Sequence, residues 1–242
     1  MKRLFKYKAF TLAEVLVTLG IIGVVSAMTV PTLMQNHQRK VYVTQLHKVY
    51  SEVGQAVKMY MTDNNLVSLS EGRIRGNKDE LNKFVKNYFK VVKDCGGKYY
   101  TGDNGSCFAH YYTSLDGTKE VNMEGWSCYA TVVLASGAAL CFDTGGLEMS
   151  DADVDLNGDG KVDENDQVQN NGANAGQAMG VEVDINGTQG PNISGRDYFY
   201  MDVTPNGLVH DSRWTEDSTI DMTNVGPTGI GKIIEDGWQM TY

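Results

Sequence analysis

Between Val15 and Met34 the chain runs for twenty residues without a charged side chain. As a helix, such a run extends about 30 Å, the thickness of a bilayer's hydrocarbon core. Lys2, Arg3, Lys6 and Lys8 precede it. A basic flank keeps the N-terminus in the cytoplasm while the remainder crosses. The formal net charge is −9, to which the first nine residues contribute +4 and the rest −13. A body that acidic repels nucleic-acid phosphates, so no nucleic-acid partner is expected. It suits a soluble, exposed domain with room for a cation site.

Three readings compete for the opening segment. It can be a plain transmembrane anchor. It can be a removable secretory signal, with Val25-Ser26-Ala27 as the small-residue cleavage site and Met28 as the mature start. Both leave Glu14 unexplained, because an acid in an inserted segment costs on the order of a few kcal/mol. The third reading starts from Ala9-Phe10-Thr11-Leu12-Ala13-Glu14. This stretch resembles the prepilin cleavage motif of type IV pilins and type II secretion pseudopilins.

The resemblance covers residues 1–34. It implies that a prepilin peptidase and N-methyltransferase cuts between Ala9 and Phe10 and methylates the new amine of Phe10. Glu14 sits where the family keeps its glutamate. Gly23 and Pro31 fall where its helices carry a loosening glycine and a kinking proline, which removes a backbone hydrogen bond. Opposite charges attract strongly in a low dielectric, so Glu14 is expected to seek the α-amine of Phe10 on a neighbouring subunit and set the axial register. Ala9 replaces the family's commoner glycine, and Ala13 a larger apolar residue. The implied organisation is a leader (1–9), a transmembrane and assembly helix (10–34) and a periplasmic or extracellular head (35–242). The implied partners are the prepilin peptidase, other pilin or pseudopilin subunits and an inner-membrane assembly platform. The implied location is the bacterial inner membrane, single-pass, and then a pilus or pseudopilus.

Beyond Leu33 the chain turns amphipathic without a break. Tyr42, Leu46, Val49, Val53, Val57 and Tyr60 recur at helical spacing, which predicts one helix from Val15 to Thr62, ended by Asp63-Asn64-Asn65. His37 and His47, ten residues apart on it, do not share a ligand geometry. A second helix is predicted over Lys78–Asp94, with Leu81, Phe84, Val85, Tyr88 and Val92 on its apolar face. Past Cys95, short β-type runs alternate with glycine-rich loops: "SCYATVVLA", "AALCFDT", "GVEVDI" and "DYFYMDV". The expected class is α+β and pilin-like: a long N-terminal helix, transmembrane in its first half and amphipathic in its second, packed on an antiparallel β-sheet head.

The four cysteines are Cys95, Cys107, Cys128 and Cys141. An even number behind an export-type N-terminus suggests disulfides, with three pairings possible. Local geometry favours Cys95–Cys107 and Cys128–Cys141. The first would close a glycine-rich loop. The second would link two strands that flank Ala135-Ser136-Gly137. A zinc site using all four thiolates is the alternative, although no C-x-x-C pair is present.

"DADVDLNGDGKVDENDQ" holds seven acidic side chains and one lysine between Asp151 and Asp166. It reads as a solvated acidic loop or as a calcium loop. Asp155, Asn157, Asp159, Gly160 and Asp166 fit positions one, three, five, six and twelve of an EF-hand-type loop. The carbonyl of Lys161 would be a further ligand, Val162 the apolar anchor, and Asp163 a ligand through water. The closing aspartate resembles dockerin-type loops. A frame from Asp153 to Glu164 supplies a glutamate but puts Gly160 at the anchor position. Calcium is the expected cofactor. A later stretch carries Asp184, Asn186, Gly187, Pro191, Asn192, Gly195 and Asp197. It reads as tight turns between strands, or as a cation site or clasp.

No nucleophile elbow, P-loop, dinucleotide fingerprint or zinc-protease helix is present, and His110 and His210 stand alone in sequence. The expected function is a structural subunit rather than an enzyme, one that polymerises into a type II secretion pseudopilus or type IV pilus. The alternative is a minor or tip subunit acting as a calcium-dependent adhesin or cargo-binding module, with Trp126, Trp214 and Trp238 as candidate contacts. An exported hydrolase starting at Met28 is the third possibility.

Overall fold

The computed structural model describes residues 10–72, 74, 77–100, 102, 105–143, 178–211, 214–215 and 218–242. The chain forms two compact units, Met1–Val41 and Tyr42–Tyr242. Helix α1 (Leu12–Asp63) is continuous over 52 residues. It starts ahead of the apolar run because Thr11 caps it: the Glu14 backbone N–H donates to Thr11 Oγ1 at 3.2 Å. It continues through Pro31. It stops where expected. Asn65 takes a left-handed φ of 54°, and the Asn64 amide donates to the Tyr60 carbonyl at 2.9 Å, closing the last turn.

In the first unit the large apolar side chains of α1, from Leu12 to Met34, are exposed among the described residues. In the second unit one face of α1 is buried through Val43, Leu46, Val49, Val53, Ala56, Val57 and Tyr60. Helix α2 (Lys78–Tyr88) follows, its first turn capped by Asn77, whose side chain accepts from the N–H groups of Asp79 and Glu80 at 3.1 Å. It buries Leu81, Phe84 and Val85.

Helix α2 ends at Tyr88, short of the expected Asp94. Phe89 turns extended (φ −120°, ψ 148°) and sends its ring between Phe84, at 5.6 Å, and Phe142, at 5.4 Å. Val91–Asp94 then becomes strand β1, the state that adjacent β-branched residues favour. Val92, expected on the helix's apolar face, is 66% exposed.

Among the described residues the remaining strands are β2 (Tyr111–Thr113), β3 (Glu120–Asn122), β4 (Ala130–Leu134), β5 (Ala139–Asp143), β6 (Met179–Asp184), β7 (Tyr198–Val203), β8 (Val209–His210) and β9 (Thr228–Gly229), before the short helix α3 (Gly231–Glu235). The main sheet runs β1-β4-β5-β6-β7-β8, antiparallel throughout, and β9 lies parallel to β7. The β2–β3 hairpin is separate. This is the α+β, pilin-like order that the sequence predicts.

The sheet is covered on both faces. Leu140, Phe142, Val181, Val183, Phe199, Met201 and Val203 join α1 and α2 in the larger core. The alternate positions Ala139, Cys141 and Tyr198 pack with Tyr99, Cys107, Phe108, Ala109, Tyr112 and Met123. Those partners come from a lobe between β1 and β4. The period of two along each strand splits the side chains between the two cores, so the head has three layers and not the two that a helix laid on a sheet suggests.

Candidate functional site

Thr11 and Glu14 form a reciprocal pair at the start of α1. Glu14 Oε2 accepts from the Thr11 backbone N–H and from the Thr11 hydroxyl, each at 2.8 Å. This is a capping box, S/T-x-x-E, and it satisfies two backbone donors that the first helical turn leaves unpaired. The carboxylate therefore has partners within its own chain. Phe10, beside it, is 85% exposed. Ala9 lies outside the described residues. Pro31 removes one rung of the helical ladder, and no other atom approaches within 4 Å of a Cβ built on Gly23. Glu14, Gly23 and Pro31 thus share one helix, beginning two residues after Phe10, whose apolar length matches a membrane span.

The structure pairs Cys95 with Cys107 and Cys128 with Cys141, Cα atoms 6.1 and 6.0 Å apart. The second bridge ties the lobe to the sheet, because Cys141 lies on β5, opposite Thr131 of β4, and the first closes a loop within the lobe just after β1. His37 and His47 are exposed on α1, with His47 against the ring of Trp238 at 4.2 Å. Trp126 is 40% exposed, and Trp214 and Trp238 are half-buried.

The β6–β7 connection brings Asp184, Asn186, Asn192 and Asp197 together. Asp184 accepts from the Tyr112 hydroxyl and from the Asn186 N–H at 3.1 Å. Asp197 accepts from the N–H groups of Asn192, at 2.8 Å, and Ile193, at 2.6 Å. Burial and then the charge of Asp197 push the Asp184 carboxyl well above the usual carboxylate range. Burial also raises Asp197, opposed by the backbone N–H groups that it accepts from. Tyr112, 72 residues from Asp184 in sequence, is the member of this cluster that sequence reasoning misses. Its place at the buried middle position of β2 is the one local sign of it.

The expected calcium loop, with Asp155, Asn157, Asp159, Lys161, Asp163 and Asp166, lies outside the described residues. Among the described residues no group of three or more His, Cys, Asp or Glu side chains is placed to hold a metal ion.

An exposed apolar N-terminal helix and an α+β head fit a pilin-like fold. The family model described as the prokaryotic N-terminal methylation motif matches residues 4–30. The chain thus carries the prepilin signature of type IV pilins and pseudopilins. That signature implies processing by a prepilin peptidase and assembly with other pilin subunits, and it points to a structural subunit. No curated protein and no solved structure matches the chain.

Proposed function

We propose that the chain is a prepilin-type subunit, cut between Ala9 and Phe10, methylated at Phe10 and polymerised through α1 into a type II secretion pseudopilus or a type IV pilus. Before assembly it sits in the inner membrane with its N-terminus in the cytoplasm and its head in the periplasm. The observation that carries this reading is the methylation motif over residues 4–30, set at the start of a helix whose large apolar residues from Leu12 to Met34 are exposed among the described residues. In the polymer those residues pack on neighbouring copies and lose contact with lipid. Glu14 and the Phe10 amine then supply a charge pair between subunits, which fixes how far one copy slides along the next. A head stapled by two disulfides suits the oxidising side of the membrane.

Intact-mass measurement of the membrane-extracted protein tests the reading. The expected product begins at Phe10 and carries one added methyl group. A chain that begins at Met1 or Met28 refutes it, because then no Phe10 amine exists for Glu14 to meet.

A further inference from the structure

Helix α1 carries no acidic residue between Glu14 and Glu52. Its lysines and arginines over that length are Arg39, Lys40 and Lys48. Lys48 is balanced by Glu52, at 3.9 Å. Arg39 and Lys40 follow closely on Met34, the last residue of the uncharged run. At the helical rise they stand about 7–9 Å beyond its apolar end. The headgroup layer of a bilayer is about 5–8 Å deep on each side, so long basic side chains at these positions reach the lipid phosphates.

Lys40 is exposed and Arg39 half-buried. Among the described residues no hydrogen bond or ion pair engages the Arg39 guanidinium. Gln35, exposed and one turn earlier, shares its face of the helix and adds an amide donor. A guanidinium presents a planar fork of N–H groups that matches a phosphate bidentately. The placement of the pair also needs a reason. Lysine and arginine collect on the cytoplasmic flank of a span and are sparse on the outer one, so a chain that had only to insert would do better with neutral residues there.

We propose that Arg39 and Lys40 form a clamp for the phosphates of anionic phospholipid at the outer end of the span. The proposal rests on the reading of α1 as an inner-membrane span with the head outside. Before processing, Lys2, Arg3, Lys6 and Lys8 attract the same headgroups on the cytoplasmic side. A cut between Ala9 and Phe10 removes all four. Arg39 and Lys40 are then the lysine and arginine nearest the apolar run. The electrostatic hold passes from the inner leaflet to the outer one, the side toward which a subunit leaves the membrane.

Titration of the full chain in detergent with phosphatidylglycerol, and separately with phosphatidylcholine, tests the clamp when bound lipid is counted by native mass spectrometry. Phosphatidylglycerol is expected to be retained over phosphatidylcholine. In chains that begin at Phe10, Arg39→Gln together with Lys40→Gln should weaken that retention about 30-fold. Glutamine forms helix nearly as well as arginine or lysine, so α1 is kept. Lys48→Gln, on the same helix, should leave retention unchanged. In chains that keep the leader, the double variant should lose only part of it. Equal retention of phosphatidylglycerol by wild type and double variant overturns the clamp, as does wild type that holds the two lipids alike. A double variant that keeps its lipid but no longer cross-links to itself overturns it in favour of an acidic group on a second copy. The same spectra report where the chain begins, so failure of the proposed cut and failure of the clamp are told apart.

Discussion

Removing the Cys95–Cys107 bridge separates what chain topology contributes to the lobe from what its contacts contribute. The bridge spans a sequence separation of 12. In the loop-entropy treatment, a closed loop of that size raises the free energy of the unfolded state by about 3 kcal/mol at 25 °C. Cys107 is also fully buried, among Tyr99, Phe108 and Tyr112, so trimming it to alanine removes about 1 kcal/mol of burial. The Cys95→Ala/Cys107→Ala variant should therefore lose about 4 kcal/mol. For a unit of roughly 200 residues each kcal/mol moves the midpoint about 2–4 °C, so Tm should fall by about 8–16 °C. Calorimetry on the detergent-solubilised full chain, without reductant and with the wild-type bridges verified by mass, measures this. The denaturant slope is a second readout. An unfolded chain without the bridge is more expanded, and its slope should rise. A fall of less than about 3 °C would refute the loop-entropy argument. So would a large fall with an unchanged slope, because the loss would then lie in native contacts.

Phe84 is fully buried and sits edge-on to Tyr60, Phe89 and Phe142. Phe84→Ala should cost about 3–5 kcal/mol in chemical denaturation, and a loss under about 1 kcal/mol would mean that the site collapses around the gap. Gly97 has a φ of +88°, and a Cβ there would lie 2.5 Å from the Cys128 carbonyl oxygen. Gly97→Ala should lower Tm by several degrees and slow oxidative formation of both bridges, as read by trapping free thiols during refolding. Glu14→Ala should insert into membranes as wild type does but yield few filaments by electron microscopy; normal filaments would remove Glu14 from the assembly account. The sequence reading of Asp155–Asp166 as a calcium loop predicts a lower Tm on chelation, an effect that Asp155→Ala together with Asp159→Ala would abolish; an unchanged Tm on chelation would remove that reading.

Much of this fold is legible before any coordinates. The buried face of α1 repeats with helical period from Val43 to Tyr60, a signal long enough to survive local noise. Strands β4 to β7 each coincide with a short apolar run bounded by turn residues. Helix α2 is misjudged at its end because Leu81, Phe84, Val85, Tyr88 and Val92 keep helical spacing straight through the break. The turn at Phe89 is decided by a ring on β5, Phe142, about fifty residues later. The β2–β3 hairpin escapes notice because its strands are three residues each, too short to show a period. The lobe's cover over the sheet, and the meeting of Tyr112 with Asp184, are long-range facts that no local pattern encodes. The Thr11-x-x-Glu14 cap, in contrast, can be read directly from its spacing.

That cap bears on the thermodynamics of the proposed fibre's growth. A lone subunit does not carry a stranded charge waiting to be quenched, because Glu14 already accepts two hydrogen bonds from Thr11. In the proposed fibre, joining would be an exchange, in which one set of partners is surrendered for another and the carboxylate's net gain is small. The bulk of the adhesion would then come from greasy helix flanks meeting one another, with Glu14 as the vernier that selects the correct notch.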